Sequence, residues 1–496
     1  MMKKMYFLLM LVLPLLACKE EENNRPPSNV EITANLVSVE PFRYRFEVSA
    51  NDPNGDLLSY YWTVGDEEEI LASAVETFSF TPNQEVEVQV RVSDEKGGEA
   101  QASTSVNTEV VDLAIDPNTR YQTIEGFGGF GAQKVWWAQE PFYDDAFVSR
   151  LINDLGVTIL RDNIPISFEP VNENDDPQNL DLSRFNLSDD TPGADSHLGQ
   201  HIPYLRAMQE AGLQKFIATV WSPPIWMKHN DHRGNGVDDP SSPEAYSAPP
   251  YDNTPDENTN QLKRENYEEF AEYCVAYIRT IEQETGLEVY ALSIQNEPVF
   301  SQFYASAVYS PEAYRDLLKI VGQRLEDEGI NTRLFGTEDV QIFDRIQNFL
   351  NVINSDPEAQ EQLDIIAIHN YKDDGIQPSD EGPSNWQRTR EIANANEQQL
   401  WMTETSGFED GWEGAFSLAK SIYNALHFGK VNAWVYWQMS DGGDQALISN
   451  GEPTDRYHAS KHFYRYIRPG AVQIGSSSED EDVLILRERD GNILLT

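Results

Sequence analysis

The stretch Val289-Tyr290-Ala291-Leu292-Ser293-Ile294-Gln295-Asn296-Glu297-Pro298 decides the fold. A short, mostly apolar run breaks off into amides, a carboxylate and a proline, the pattern of a buried strand, Val289 to Asn296, that ends in a polar turn. Just before it, Phe270, Tyr273, Cys274, Tyr277, Ile278 and Ile281 recur at spacings of three and four, the stripe of a helix with one buried face. Cys274 is therefore expected in the core. Just after it, Ser310 and Pro311 open a second helix that buries Tyr314, Leu317, Leu318, Val321 and Leu325 and stops at Gly329.

The same alternation of strand and helix runs from about residue 120 to 470. The strand candidates are Glu125 to Gly131, Val157 to Ile164, Lys215 to Ser222, Val289 to Asn296, Thr332 to Glu338, Ile365 to Tyr371, Gln399 to Thr405 and Asn432 to Met439. Eight such units in about 350 residues predict a (β/α)8 TIM barrel rather than an open doubly wound sheet. The Gly126-Phe127-Gly128-Gly129 run lacks dinucleotide spacing and opens no helix, so it is expected to let backbone pack closely. There is no P-loop, and no cofactor is expected.

Chemistry in such a barrel sits where strands end and the following loops begin. Asking which polar residues occupy those ends leads to two glutamates, Glu297 after the fourth strand and Glu404 in Trp401-Met402-Thr403-Glu404-Thr405 at the end of the seventh. Hydrolysis of a glycosidic bond with retention needs one carboxyl to protonate the leaving oxygen and another, about 5 to 5.5 Å away, to attack the anomeric carbon. The Asn296 amide is placed to hydrogen-bond a sugar 2-hydroxyl. Trp221 and Trp437, near the ends of the third and eighth strands, offer indole faces for a sugar ring or for the core. His369 and Tyr371 end the sixth strand, with hydrogen bonds to sugar or carboxylate as their alternative to packing. Trp226 reads equally well as a further sugar-facing indole or as a platform under Trp221.

These residues carry a resemblance. Asn296-Glu297-Pro298 with the later Glu404 resembles clan A glycoside hydrolases. Five longer blocks are similar to glycoside hydrolase family 30: Ile124 to Gly129, Ile159-Leu160-Arg161, Trp221 to Lys228, Ser293 to Pro298 and Trp401 to Glu404. Arg468-Pro469-Gly470 extends the match, which runs from about residue 112 to the end. The resemblance implies a retaining O-glycosyl hydrolase with Glu297 as acid/base, Glu404 as nucleophile and Arg161 holding the nucleophile ionised. Two departures stand out. After the second strand the chain reads Asn163-Ile164-Pro165-Ile166-Ser167-Phe168-Glu169, without the Asp by which members active on β-glucosides grip a terminal sugar. After the last helix only residues 471 to 496 are left for a side domain, so a truncated β side domain is expected, a hairpin of Val483 to Leu486 and Ile493 to Leu495 with an exposed edge.

The chain is 496 residues long, with 36 Lys and Arg against 83 Asp and Glu and a net charge of −47. Such a field repels nucleic acid and disfavours strongly anionic glycans. No His pair has zinc spacing, and His229 and His232 read as solvent-exposed, so no metal is expected. The loop 227 to 264, rich in Pro and Tyr, is expected to wall the substrate cleft, as an endo-acting enzyme requires.

Ahead of the barrel, Lys3-Lys4 and an apolar run from Tyr6 to Ala17 form a targeting segment too short to span a bilayer. The run ends Leu15-Leu16-Ala17-Cys18, which resembles the lipobox of bacterial lipoproteins and implies lipidation of Cys18. Lys19-Glu20-Glu21-Glu22 resembles an export tag to the outer-membrane surface. Residues 18 to 30 should be a tether. From 31 to 108, period-two runs such as Phe42-Tyr44-Phe46-Val48 and Val86-Val88-Val90-Val92 predict an antiparallel β-sandwich. Asp52 to Asp66 resembles polycystic-kidney-disease-type immunoglobulin-like modules, and its acidic turn is expected to be solvated rather than to hold calcium.

The chain thus divides into a signal at 1–17, a tether at 18–30, an immunoglobulin-like sandwich at 31–108, a catalytic barrel at 112–470 and a partial side domain at 471–496. The leading reading is a lipid-anchored, monomeric retaining β-glycosidase. It would act within an external polysaccharide such as xylan or a β-1,6-linked glucan or galactan. The alternatives are an exo-β-glucosidase or glucosylceramidase-like enzyme, which Phe185-Asn186-Leu187-Ser188 resembles, and a non-catalytic glycan-binding lipoprotein.

Overall fold

Eight parallel strands close into a barrel in this computed structural model: Gly126–Phe130 (β1), Ile159–Asn163 (β2), Lys215–Thr219 (β3), Val289–Ser293 (β4), Arg333–Asp339 (β5), Ile365–His369 (β6), Gln399–Glu404 (β7) and Ala433–Tyr436 (β8). The structure describes residues 24–39, 41–109, 113–131, 144–172, 176–188, 198–246, 251–340, 345–371, 382–441, 445–478, 485–489 and 492–495. The signal segment, Cys18 and the start of the tether lie outside them. Contacts divide the chain into two units, residues 1–113 with 478–483 and residues 114–477 with 484–496.

Each strand lies where its apolar run predicts; seven are trimmed by one to three residues at one or both ends, and β5 starts one residue later and runs one residue further, to Asp339. Strand β1 needs its glycines, because a Cβ on Gly128 would stand 1.7 Å from the Ile159 carbonyl oxygen of β2. Inside the barrel Ile159, Ile217, Ala291, Phe335, Ile365, Ala367, Trp401, Ala433 and Val435 form a dry core. Two residues further on, the same inward positions become Arg161, Thr219, Ser293, His369 and Trp437. The alternation that fills the interior thus delivers polar and aromatic side chains to the mouth.

Outside the barrel, Tyr267–Thr285 is a helix that buries Phe270, Tyr273, Cys274, Tyr277 and Ile281. Cys274 is a free thiol in the core, and burial pushes its pKa up. Ser310 caps the helix Pro311–Asp327 by accepting from the Ala313 N–H at 3.1 Å. At the bottom of the barrel, Glu125 meets Lys215 Nζ at 3.0 Å and accepts from Tyr290 and Gln399, while Arg333 donates to Tyr290 and Gln399. This polar plate closes the end of the barrel away from the mouth.

A four-stranded sheet runs in the order Asn492–Leu495, Ile485–Arg489, Val472–Ser478, Leu113–Thr123. The first two form an antiparallel hairpin in which Ile485 faces Leu495. Leu113–Thr123, which the sequence reading counts as barrel, is the strand at the opposite edge from Asn492–Leu495. The sheet is therefore built from chain on both sides of the barrel. Its alternation in Tyr121 and Thr123 is too sparse to advertise a strand. Next to it, Ile124 donates to the Ala471 carbonyl at 2.8 Å and accepts from the Gly470 N–H at 2.8 Å.

The N-terminal unit consists of two antiparallel sheets, Ser28–Val39 / Phe42–Asn51 / Val75–Phe80 and Ile70–Ala72 / Ser59–Val64 / Glu85–Ser93 / Glu99–Asn107. Phe46, Trp62, Val88, Val90 and Val92 lie fully buried in one cluster shared by strands of both sheets, as the period-two runs require. Asp52, Asp56 and Asp94 bring their carboxylates within 4.8 Å of one another. Protein donors already serve them. Lys96 Nζ reaches Asp56 at 2.5 Å, and Asp94 accepts from the Lys96 and Gly98 N–H groups and from Asn24. No helix among the described residues is long and apolar enough to cross a membrane.

Candidate active site

At the mouth, the two glutamates singled out by sequence converge. Glu297 follows β4 and Glu404 ends β7; both are more than nine-tenths buried, and each places a carboxylate oxygen within 4.8 Å of the other and of a His369 ring nitrogen. Backbone bonds continue past the last regular residue of β4, with Asn296 donating to Val220 O at 2.7 Å and Glu297 to Glu338 O at 3.1 Å. Glu297 is held at φ 46°, a left-handed conformation that is costly away from glycine and clusters at functional sites.

Arg161, at the inward position of β2, is fully buried and organises one side of the pair. Its Nη1 donates to Glu404 Oε2 at 2.6 Å, its Nη2 to Asn296 Oδ1 at 2.9 Å and its Nε to Thr219 Oγ1 at 3.2 Å. Since Arg161 occupies the amide oxygen of Asn296, the NH2 is the end left for a substrate hydroxyl. The guanidinium stacks 4.6 Å over Trp221. Trp221, Trp437 and Phe130 form an aromatic floor, with Trp437 4.3 Å from Phe130 and 5.8 Å from Trp221 between ring centroids.

His369 and Tyr371 take the other side. His369 Nδ1 lies 3.0 Å from Glu297 Oε1, and the Tyr371 hydroxyl donates to Glu404 Oε1 at 2.9 Å. Burial and the Glu404 and Glu297 carboxylates push the Tyr371 phenol up, so it stays a neutral donor. For Glu297, burial is the main influence and raises its pKa, helped by Glu404 and opposed by His369. Burial alone would lower His369, but Glu404, Glu297 and Glu338 together push it up to about 10.

Glu338 is a site residue that the sequence reading passes over. It is fully buried, contacts Arg161 Nη2 at 3.1 Å and His369 Nε2 at 3.6 Å, and accepts from Thr219 Oγ1 at 3.1 Å. Counting by twos from Phe335 leads to Thr337. A one-residue bulge intervenes, because Thr337 pairs with Ala367 and Asp339 with Ile368, and Glu338 takes φ 52°. A signal was present, since Glu338 is the last residue of the predicted fifth strand and meets the same criterion as Glu297 and Glu404.

The loop after β3 is tied down from within. Lys228 is fully buried and donates to Ser222 Oγ, Arg233 O and Ser306 O at 2.8 to 3.1 Å. Asn235, Ser306 and Phe303 then stitch this loop to the segment that follows Glu297, through Asn235 N to Gln302 O, Ser306 N to Arg233 O and Phe303 N to Ala245 O. His232 is only partly exposed. Its Nδ1 accepts from the Gly234 and Gly236 N–H groups, organising the turn instead of facing solvent. Trp226 does not stand out at the mouth, and its indole N–H is spent on Glu169 O. Past Glu297, Tyr304 is 37% exposed, and after burial the Glu297 and Glu404 carboxylates are what push its phenol up. Its ring lies 5.3 Å from Phe303, which lies 5.5 Å from Tyr246.

Residues 165–439 match the glycosyl hydrolase family 30 TIM-barrel domain. A glucuronoxylanase of Bacillus subtilis is 25% identical over 382 residues, 75% of this chain and 74% of the relative. Two solved structures share the fold at 20% identity and a TM-score of 0.57. One is a family 30 subfamily 8 xylanase from Clostridium acetobutylicum, aligned over 76% of this chain and 81% of its own, and the other an endo-β1,6-glucanase, over 87% and 90%. The chain belongs to glycosyl hydrolase family 30.

Proposed function

We propose that this protein is a retaining β-glycosidase that cleaves within an extracellular polysaccharide of the xylan or β-1,6-linked glucan or galactan type, with Glu297 as acid/base and Glu404 as nucleophile. The observation that carries the reading is the carboxylate spacing of Glu297 and Glu404 within 4.8 Å. That gap is close to the roughly 5 to 5.5 Å of double displacement and too small for the water that inversion needs between the two groups.

In the first step a Glu404 oxygen bonds to the anomeric carbon as the glycosidic C–O bond breaks. The Glu297 proton passes to the departing oxygen, which leaves as an alcohol. In the second step Glu297, now a carboxylate, takes a proton from water, whose oxygen attacks the anomeric carbon and releases Glu404 from its glycosyl ester. Arg161 and Tyr371 grip both oxygens of Glu404 and aim it, and the Asn296 NH2 is available for the 2-hydroxyl. Trp221 and Trp437 provide faces for the sugar at the cleavage point. Tyr304, backed by Phe303 and Tyr246, supports an extended substrate on the leaving-group side, next to Glu297.

We further propose that Cys18 is lipidated, that the monomeric enzyme sits on the outer-membrane surface and that residues 31–108 are an immunoglobulin-like spacer, supported by Leu15-Leu16-Ala17-Cys18, Lys19-Glu20-Glu21-Glu22 and the period-two runs. The test is product analysis on xylan, glucuronoxylan, β-1,6-glucan, galactan and an aryl β-glucoside, with Glu404→Gln as control. Oligosaccharides from one polymer, absent with the variant, are expected. Single sugars from the aryl glucoside alone would replace the endo reading with the exo one, and polymer binding without turnover would overturn catalysis.

A further inference from the structure

Among the described residues the mouth holds three buried carboxylates, Glu297, Glu338 and Glu404, and two buried cationic groups, Arg161 and His369. Arg161 touches Glu404 at 2.6 Å and Glu338 at 3.1 Å; His369 touches Glu297 at 3.0 Å, Glu338 at 3.6 Å and Glu404 at 3.8 Å. Only two of the three carboxylates can be neutralised by two cations, and an unbalanced charge in such a site is costly. The third carboxyl must keep its proton. Glu338 lies within ion-pair distance of both cations and accepts from Thr219, so it is one of the two that ionise, while among the described residues Glu297 has the imidazole as its one cationic neighbour at such a distance.

We propose that Glu338 is a positioning residue that sets the proton count of the active site: by claiming a share of both Arg161 and His369, it leaves Glu297 as the carboxyl that stays protonated and able to donate. This deepens the retaining reading above and rests on it for the identity of the acid.

Among the described residues the surrounding groups do not upset the balance. From β5 itself, Asp339 is paired with Arg345 at 3.0 Å. From the helix after β4, Tyr314 stays neutral because burial and then Glu338 raise it, and Tyr371 after β6 and Tyr304 after β4 are raised phenols as well. Thr219 and Ser293 carry no charge. The electrostatics agree, since burial alone would raise Glu338 but Arg161 and His369 hold it down to about 2, the reverse of Glu297.

Removing the Glu338 charge leaves Arg161 and His369 facing Glu404 alone, so the His369–Glu297 couple releases a proton at lower pH. The couple titrates as a unit, and whichever member gives the proton up, the acid form is lost sooner. In Glu338→Gln the alkaline limb of kcat/KM should therefore move toward acid by about one pH unit or more, the usual size of a close-charge effect. Hydrolysis of a phenyl glycoside, which needs protonation of its leaving group, should fall more than that of a dinitrophenyl glycoside. Glu338→Asp keeps the charge and should keep the limb.

The direct readout needs no substrate: carboxyl 13C NMR of Glu297, assigned with Glu297→Gln, and imidazole 15N NMR of His369. In the wild type both nitrogens of His369 should be protonated at pH 8, and in Glu338→Gln the couple should titrate at lower pH. A neutral His369 in the wild type at pH 8 overturns the proposal without any variant. So does a folded Glu338→Gln whose limb and NMR titration stay put, or a Glu338→Asp that shifts as far as Glu338→Gln. If the wild type hydrolyses no glycoside, the functional reading fails while the NMR titrations still decide the charge assignment.

Discussion

Nδ1 of His369 lies 3.0 Å from Glu297 and 3.8 Å from Glu404, so one imidazole touches both glutamates across the mouth of the barrel. A bulge in β7 brings Glu404 to it: Ile368 pairs with Met402 and His369 with Glu404, leaving Thr403 as the extra residue. Glu404 and His369 therefore face inward together.

Removing the acid separates the two chemical steps. Glu297→Ala should lose about 10²- to 10⁴-fold in kcat on a substrate with a poor leaving group. Added azide should restore turnover of an activated aryl glycoside, because a small anion attacks the glycosyl ester without needing a base. The product should be the β-azide, identified by NMR; an α-azide would contradict retention.

Arg161 is paired with Glu404 and Glu338, so deleting its charge leaves both buried carboxylates sharing His369 as their cation. Arg161→Met should lower stability by about 3 to 5 kcal/mol in urea unfolding. Arg161→Lys should recover much of the stability but little of the activity, since an ammonium cannot hold Glu404, Asn296 and Thr219 at once.

Stability should fall at both ends of the pH range. Glu338 is held down to about 2 from an ordinary 4.5, so its contribution is present above 4.5 and disappears as pH falls toward 2. His369 is raised to about 10 from 6.5, so its contribution is complete below 6.5 and disappears as pH rises toward 10. Thermal melts of the wild type and Glu338→Gln across this range should converge as pH falls toward 2, where Glu338 takes up its proton.

The bottom plate should affect stability but not catalysis. Glu125→Ala takes the carboxylate from Lys215, which keeps the residue-125 carbonyl, and leaves Tyr290 and Gln399 short of an acceptor, at a cost of about 1 to 3 kcal/mol. Its kcat and KM at moderate temperature should match the wild type. A large loss of kcat would mean that the plate shapes the mouth.

Gly234 fixes how the β3 loop meets the segment beyond Glu297. An added Cβ would lie 2.3 to 2.8 Å from the carbonyl oxygens of Gln302, Tyr304 and Phe303. Gly234→Ala should displace Tyr304 and raise KM for polymer several-fold, while kcat on a short aryl glycoside changes little.

Sequence reveals the barrel well because each strand is a short apolar run between helices with clear stripes and caps. The chemistry at the strand ends is visible wherever the alternation is unbroken, as from Ile159 to Arg161 and from Ala367 to His369. Glu404 and Glu338 both lie at bulges that change the face, which no periodicity registers; Glu404 is legible because a polar residue at a strand end is the criterion, and Glu338 meets that criterion too but is passed over. Leu113–Thr123 is missed for a different reason: its partner strand lies about 350 residues away, and nothing local identifies it. The folding of the β3 loop depends on carbonyl acceptors for Lys228, which are identical at every residue and so leave no mark in a sequence.

The side sheet makes the barrel's first and last segments neighbours, with Ile124 bonded to Gly470 and Ala471 and Leu113–Thr123 in one sheet with Val472–Ser478. A ring of eight units whose two ends are tied at one point behaves topologically as a closed loop. Such a loop could be opened at another exposed turn and rejoined at this seam, and domains could be appended at the seam without any strand of the ring changing its neighbours.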